Sequence, residues 1–164
     1  MKRIIGALLL SVMTLLMLTG CALNMPAPEI KEGKFDVSVT YEINGEQKTL
    51  DLVYVCGYDG VDWTLEGTTY RAWNGHFEGY GDGDVIEISK TEAGDEIALC
   101  ILIYAEYFMS EPGYTDFAPI PLVNVIYYED GVEMIEDDQD LIAEEYGVRV
   151  IGIEFDEPIQ NSFK

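Results

Sequence analysis

His76 is the only histidine in the 164 residues, so any Ser-His-Asp triad has to be built on it. The surrounding signals are missing. There is no G-x-S-x-G, no S-x-x-K, no H-E-x-x-H and no glycine-rich loop ending in Gly-Lys-Ser/Thr. The soft metal ligands of the exported part are His76, Cys56 and Cys100, and no two stand at ligand spacing, so neither zinc nor a cofactor is expected. Asp82-Gly83-Asp84 has the start of a calcium loop but lacks the further ligands and the terminal Glu of an EF-hand. The 31 acidic residues supply carboxylates for glycoside hydrolysis. That chemistry needs one acid with a raised pKa in a cleft, which spacing alone does not encode. No catalytic residue is assigned. The leading expectation is a non-catalytic binding or envelope-organising module. The alternative is a carboxylate-dependent hydrolase acting on an envelope or extracellular glycan.

The segment Gly57–Asp84 is the most unusual stretch. It holds seven of the 16 glycines, both tryptophans, Tyr58, Tyr70, Tyr80 and His76. Asn74-Gly75 is the preferred pair for a two-residue hairpin turn. Such a turn pairs Trp73 with His76, Ala72 with Phe77 and Arg71 with Glu78. Side chains alternate between faces, so Arg71, Trp73, His76 and Glu78 share one and Tyr70, Ala72 and Phe77 the other. The second set is the more apolar and is expected to face the core. Trp73 then lies outside beside Arg71 and His76, as a stacking platform for a sugar ring or an anchor for a protein, with Trp63 as its extension. The competing arrangement has these aromatics simply packed on the sheet.

The elements that must position these residues read as strands. Phe35–Ile43 puts apolar residues at every odd position and polar ones at every even position, the period of a half-buried strand. Asn44-Gly45 follows. A two-residue turn there sets Phe35 opposite Tyr54, Val37 opposite Leu52 and Val39 opposite Leu50 on the core side, apolar with apolar, and Ser38 opposite Asp51 and Thr40 opposite Thr49 on the other face. Asp130-Gly131 offers another turn, pairing Ile126 with Ile135 and Tyr127 with Met134. Val85–Lys90 and Val148–Phe155 are further strands. Asp138–Tyr146 has the marks of a short helix, with an Asp cap and Gly147 at the stop position. Residues 97–109 are too continuously apolar for periodicity to decide; Ile97, Ile101, Ile103 and the aromatics favour strand, and Asp95 keeps a capped helix open. The fold class expected is mainly β: an antiparallel β-sandwich or partly open barrel with one short helix near the C-terminus.

The N-terminus carries an address. Lys2 and Arg3 precede an uncharged apolar run, Ile4–Leu18, which ends in Leu18-Thr19-Gly20-Cys21. The run is short for a permanent span and right for a signal segment. The tetrapeptide resembles the lipobox of bacterial lipoproteins. The resemblance covers residues 1–21 only, and implies cleavage before Cys21 and acylation of its thiol. The chain divides accordingly into a signal peptide (1–20), a lipidated Cys with an extended tether (21–34) and one β-rich exported domain (35–164). Pro26 and Pro28 favour extended backbone, and thirteen residues at ~3.1 Å each would lift the domain roughly 40 Å from the bilayer. The expected location is the extracytoplasmic side of the cell membrane or outer membrane, with an envelope protein or glycan as partner.

Charge agrees with that address. The precursor carries −22. Removing residues 1–20 takes two of the 9 bases and none of the 31 acids, leaving −24. Nucleic acid is excluded as a partner, and an anionic bilayer repels the domain, so the lipid is expected to make the membrane contact. With Cys21 acylated, Cys56 and Cys100 remain, both expected to point inward. They form either a disulfide, as exported domains permit, or two buried thiols.

Overall fold

The computed structural model describes residues 25–80, 85–129 and 132–164. The signal segment, Cys21, the Asp82-Gly83-Asp84 motif and the Asp130-Gly131 turn lie outside the described residues. The chain forms two four-stranded antiparallel sheets, one curled into a half-barrel. The first has the order β3-β2-β1-β8, from β1 (Glu32–Ile43), β2 (Glu46–Trp63), β3 (Thr69–Phe77) and β8 (Val148–Phe155). The second has the order β4-β5-β6-β7, from β4 (Val85–Lys90), β5 (Glu96–Leu102), β6 (Ile120–Glu129) and β7 (Val132–Glu136). Both sheets turn one face inward onto a shared core, and β8 lies beside β6.

The alternation in Phe35–Ile43 becomes β1, and every pairing expected from the Asn44-Gly45 turn is present, from Phe35 opposite Tyr54 to Ile43 opposite Glu46. Asn44 and Gly45 take φ of 52° and 80°, the positive values that a type I′ turn demands. Phe35, Val37, Val39, Tyr41 and Ile43 are buried. On the far side of β1 the β8 strand pairs from Val37↔Phe155 to Ile43↔Val148, with a bulge between Thr40 and Tyr41.

The second Asn-Gly is not a turn. Asn74 and Gly75 sit inside β3, opposite Gly57 and Cys56 of β2. The chain reverses earlier, at Thr64–Thr68, where the Thr64 amide donates to Thr68 O at 2.8 Å and the Gly67 amide to Thr64 O at 2.9 Å. The expected pairs Trp73–His76, Ala72–Phe77 and Arg71–Glu78 therefore do not exist. A glycine is needed at 75 for space. A Cβ there would lie 1.8 Å from the Tyr54 hydroxyl, whose ring leans over Gly75 from β2. Losing the turn also moves the faces: Arg71, Trp73 and Phe77 point inward together, while Tyr70, Asn74 and His76 are exposed.

The ambiguous run 97–109 holds both answers. Residues 96–102 are β5, and Ala105–Phe108 form a single helical turn, α1. Phe108, fully buried, packs on the inner face of the first sheet: its ring lies 4.5 Å from Phe35, 5.7 Å from Tyr54 and 6.0 Å from Phe155. The C-terminal helix α2 (Gln139–Tyr146) forms as its sequence prescribes. Asp138 Oδ1 accepts from the Asp140 and Leu141 amides, and Gly147 ends the helix at φ 64°. On either side of Asp130-Gly131, β6 and β7 pair Ile126 with Ile135 and Tyr127 with Met134, the expected register.

Candidate functional site

Two features of the first sheet concentrate polar chemistry, one on each face. On the inner face Arg71, Trp73 and Glu111 form a buried knot. All three are under 10% exposed. The Arg71 Nε donates to both carboxylate oxygens of Glu111, at 2.9 and 2.8 Å, and its Nη2 lies 2.7 Å from Oε1. The Trp73 indole N–H donates to Oε2 of the same carboxylate at 3.0 Å. Tyr58 packs edge-on against Trp73, their rings 5.3 Å apart. The guanidinium stacks 4.0 Å over the Phe163 ring, and its Nη1 donates to the Pro26 carbonyl at 3.1 Å. Such a forked, stacked arginine is the geometry a buried ion pair requires. It joins β3, the loop after α1, the segment before β1 and the C-terminal segment.

The segment before β1 and the C-terminal segment are clasped to each other as well. Pro28 and Phe163 form an isolated β-bridge, and the Glu29 amide donates to Ser162 O at 2.8 Å. Ile30 and Asn161 exchange two hydrogen bonds, at 3.0 and 2.8 Å. The expected tether over 22–34 is thus shorter than its composition suggested. From Pro26 onward it is held by the domain, and β1 already begins at Glu32. Backbone groups that a free linker leaves to water find partners in the C-terminal segment instead.

On the outer face an open depression of about 500 Å³ crosses β1, β2 and β3. Its floor is Val55 and Gly57, and its rim is Glu32, Lys34, Asn74 and His76. The register explains the arrangement. Gly57 stands between Glu32 and Asn74, and Val55 between Lys34 and His76. Gly57 makes the hollow, because a Cβ there would meet nothing within 4 Å. Lys34 is fixed at the rim by an ion pair to Glu78 at 2.7 Å.

The four residues expected to share a binding face are therefore dispersed. Trp73 is no platform: it is 8% exposed and bonded through its indole N–H. Arg71 is interior. Trp63 is 75% exposed at the end of the β2–β3 hairpin. Only His76 lies on the outer depression. Glu111, the centre of the buried knot, was not singled out by the sequence. It is one acid among 31, and nothing in Ser110-Glu111-Pro112-Gly113 marks it as buried.

The cysteines also differ from expectation. Cys56 is fully buried in the core, whereas Cys100 sits on the opposite face of β5 from the core residues Ile97, Leu99 and Ile101. They are not joined to each other. Burial, and next the negative charge of Glu106, push the Cys56 thiol up to about 12. At pH 8 it is a protonated, enclosed thiol. We expect iodoacetamide to leave Cys56 unmodified in the native chain and to alkylate it fully in denaturant without reductant. Peptide mapping that found Cys56 modified under native conditions would contradict this packing.

Glu106, on α1, has a carboxyl held above the usual range, mainly by burial and further by the charge of Glu111. Its neighbour Glu111 has both oxygens committed to Arg71 and Trp73, which leaves that pair without a carboxylate to activate water. Among the described residues no group of three or more His, Cys, Asp and Glu is placed to hold a metal, and no helix is long and apolar enough to cross a membrane. Comparison with models of known protein families, with curated proteins and with solved structures finds no match to this chain.

Proposed function

We propose that the chain is a lipid-anchored extracytoplasmic β-domain that binds an envelope glycan or protein without catalysis. The resemblance of Leu18-Thr19-Gly20-Cys21 to a lipobox supports the anchor. The depression across β1–β3 is the one observation that carries the binding role. Its volume is in the range of small-ligand sites. An apolar floor of Val55 and Gly57, ringed by an amide, an imidazole, an ammonium and a carboxylate, suits a ligand with one apolar face and a hydroxylated edge, as a sugar ring has. The rigidity comes from β-pairing on both sides of β2. A hydrolase draws less support, because the most buried carboxylate, Glu111, is consumed in the ion pair.

Gly57→Trp tests the site. The new side chain enters open space, so the fold is kept and the hollow is filled. Full-length protein in mild detergent should retain a specific envelope component that the Gly57→Trp variant does not. Retention of the same components by both, or of none by the wild type, would remove the depression as a binding site.

A further inference from the structure

The end of the β2–β3 hairpin is apolar where a turn is ordinarily polar. Its residues 64–68 close on Gly67, at φ 82°. Turns favour Gly, Asn, Asp, Ser and Pro. Here the exposed residues include Trp63 at 75%, Leu65 without any cover, and Tyr70 at 43%. Single exposed apolar residues need no explanation, but a Trp, a Leu and a Tyr on one projecting tip do.

The path of the N-terminal segment places this tip. The Pro26 carbonyl accepts from Arg71 on β3. Arg71 stands opposite Val61, two residues before the last rung of the hairpin, Trp63↔Thr69. At ~3.3 Å per residue that rung is only ~7 Å further along the strand. Pro26 lies five residues on from Cys21, at most ~18 Å of extended chain. The segment that follows the lipid-bearing cysteine is thus tied to the domain at Pro26, close to the apolar tip, and the spacing of roughly 40 Å that a free tether gives is not available.

We infer that Trp63, Leu65 and Tyr70 seat the β2–β3 tip in the headgroup–acyl boundary of the bilayer that holds the lipid on Cys21. This rests on the anchoring reading above. Trp and Tyr, amphipathic rings, favour that boundary, and an uncovered Leu enters it readily. Asp62 accepts from the Trp63 backbone amide at 2.8 Å and lies 3.5 Å from the Tyr70 hydroxyl, and the register sets Trp63 and Tyr70 on opposite faces of the hairpin, so the two rings flank its end. The overall negative charge opposes an anionic surface and not a zwitterionic one, so the inserted tip is a local exception that net charge conceals. The short link favours the bilayer over a protein as occupant, since anything docked on the tip would have to fit between it and the membrane.

Tryptophan quenching tests the placement. Full-length lipidated protein is reconstituted into phosphatidylcholine vesicles with brominated acyl chains, and mass spectrometry reads the lipid on Cys21 in the same sample. The wild type should lose up to about half of its emission, because one of its two tryptophans lies in the interface. Trp63→Phe, a change at an exposed position, should abolish the quenching, since Trp73 is buried and hydrogen-bonded. Unquenched wild type carrying lipid, or equal quenching in Trp63→Phe, overturns the inference and leaves the anchor standing. Absence of lipid on Cys21 overturns the anchoring reading itself.

Discussion

Glu111→Ala should destabilise the domain by ~3–5 kcal/mol, the range for removing one partner of a buried ion pair. The variant leaves the Arg71 guanidinium buried with only the Pro26 carbonyl and the Phe163 ring for company. It also takes the acceptor from the Trp73 indole N–H. Both effects act in the same direction, and an orphaned buried donor adds ~1–3 kcal/mol when water cannot reach it. Arg71→Met combined with Glu111→Leu should recover much of the loss, because the desolvation of two charges disappears with them. Urea unfolding of the two single variants and the double variant measures the coupling. A loss below ~1 kcal/mol for Glu111→Ala is what an exposed pair would give, and would contradict the buried knot.

Gly75→Ala should cost about 3 kcal/mol, at the upper end of ordinary overpacking. The added methyl meets the Tyr54 hydroxyl and ring carbon at 1.8 and 2.4 Å. Tyr54 is itself buried, 5.1 Å from the Phe77 ring and 5.7 Å from Phe108, so it has no room to yield. The neighbouring position discriminates this cause from a turn. Asn74 is an exposed strand residue, so Asn74→Thr should be neutral or slightly stabilising through β-propensity. Asn44, at φ 52°, is in a real turn, where a β-branched residue is strained, so Asn44→Thr should destabilise. Thermal unfolding of the three variants checks the pattern. Equal losses in Asn74→Thr and Asn44→Thr would restore a turn at 74–75.

These two cases show what the sequence revealed and what it withheld. The same dipeptide, Asn-Gly, turns the chain at 44–45 and not at 74–75. At 44–45 the turn agreed with a strict alternation on one side and an apolar partner for Phe35, Val37 and Val39 on the other. At 74–75 the support was one charge pair and a local preference, and tertiary packing of Tyr54 supplied a different reason for the glycine. Strands, the β6–β7 register and the α2 helix were legible because each rests on periodicity or capping within a few residues. The helical turn in 105–108 was hidden inside an apolar run where both readings bury the same side chains. The buried knot was not legible, because a charge becomes a core residue only through partners 38 to 45 positions away. The depression was hidden for a similar reason: its rim is drawn from three strands, and its floor is a glycine that the sequence shows only as one of 16. The composition of the tether pointed to extension and solvent, but extended backbone is also what pairs with a C-terminal segment.

Anchoring through Cys21 is the claim on which the location, the envelope ligand and the seating of the hairpin tip all depend, and metabolic labelling with a radioactive fatty acid tests it most directly. The wild type should incorporate label, and so should Cys56→Ser and Cys100→Ser. Cys21→Ser should incorporate none. Equal labelling of the wild type and Cys21→Ser, or an unlabelled wild type, would contradict the account.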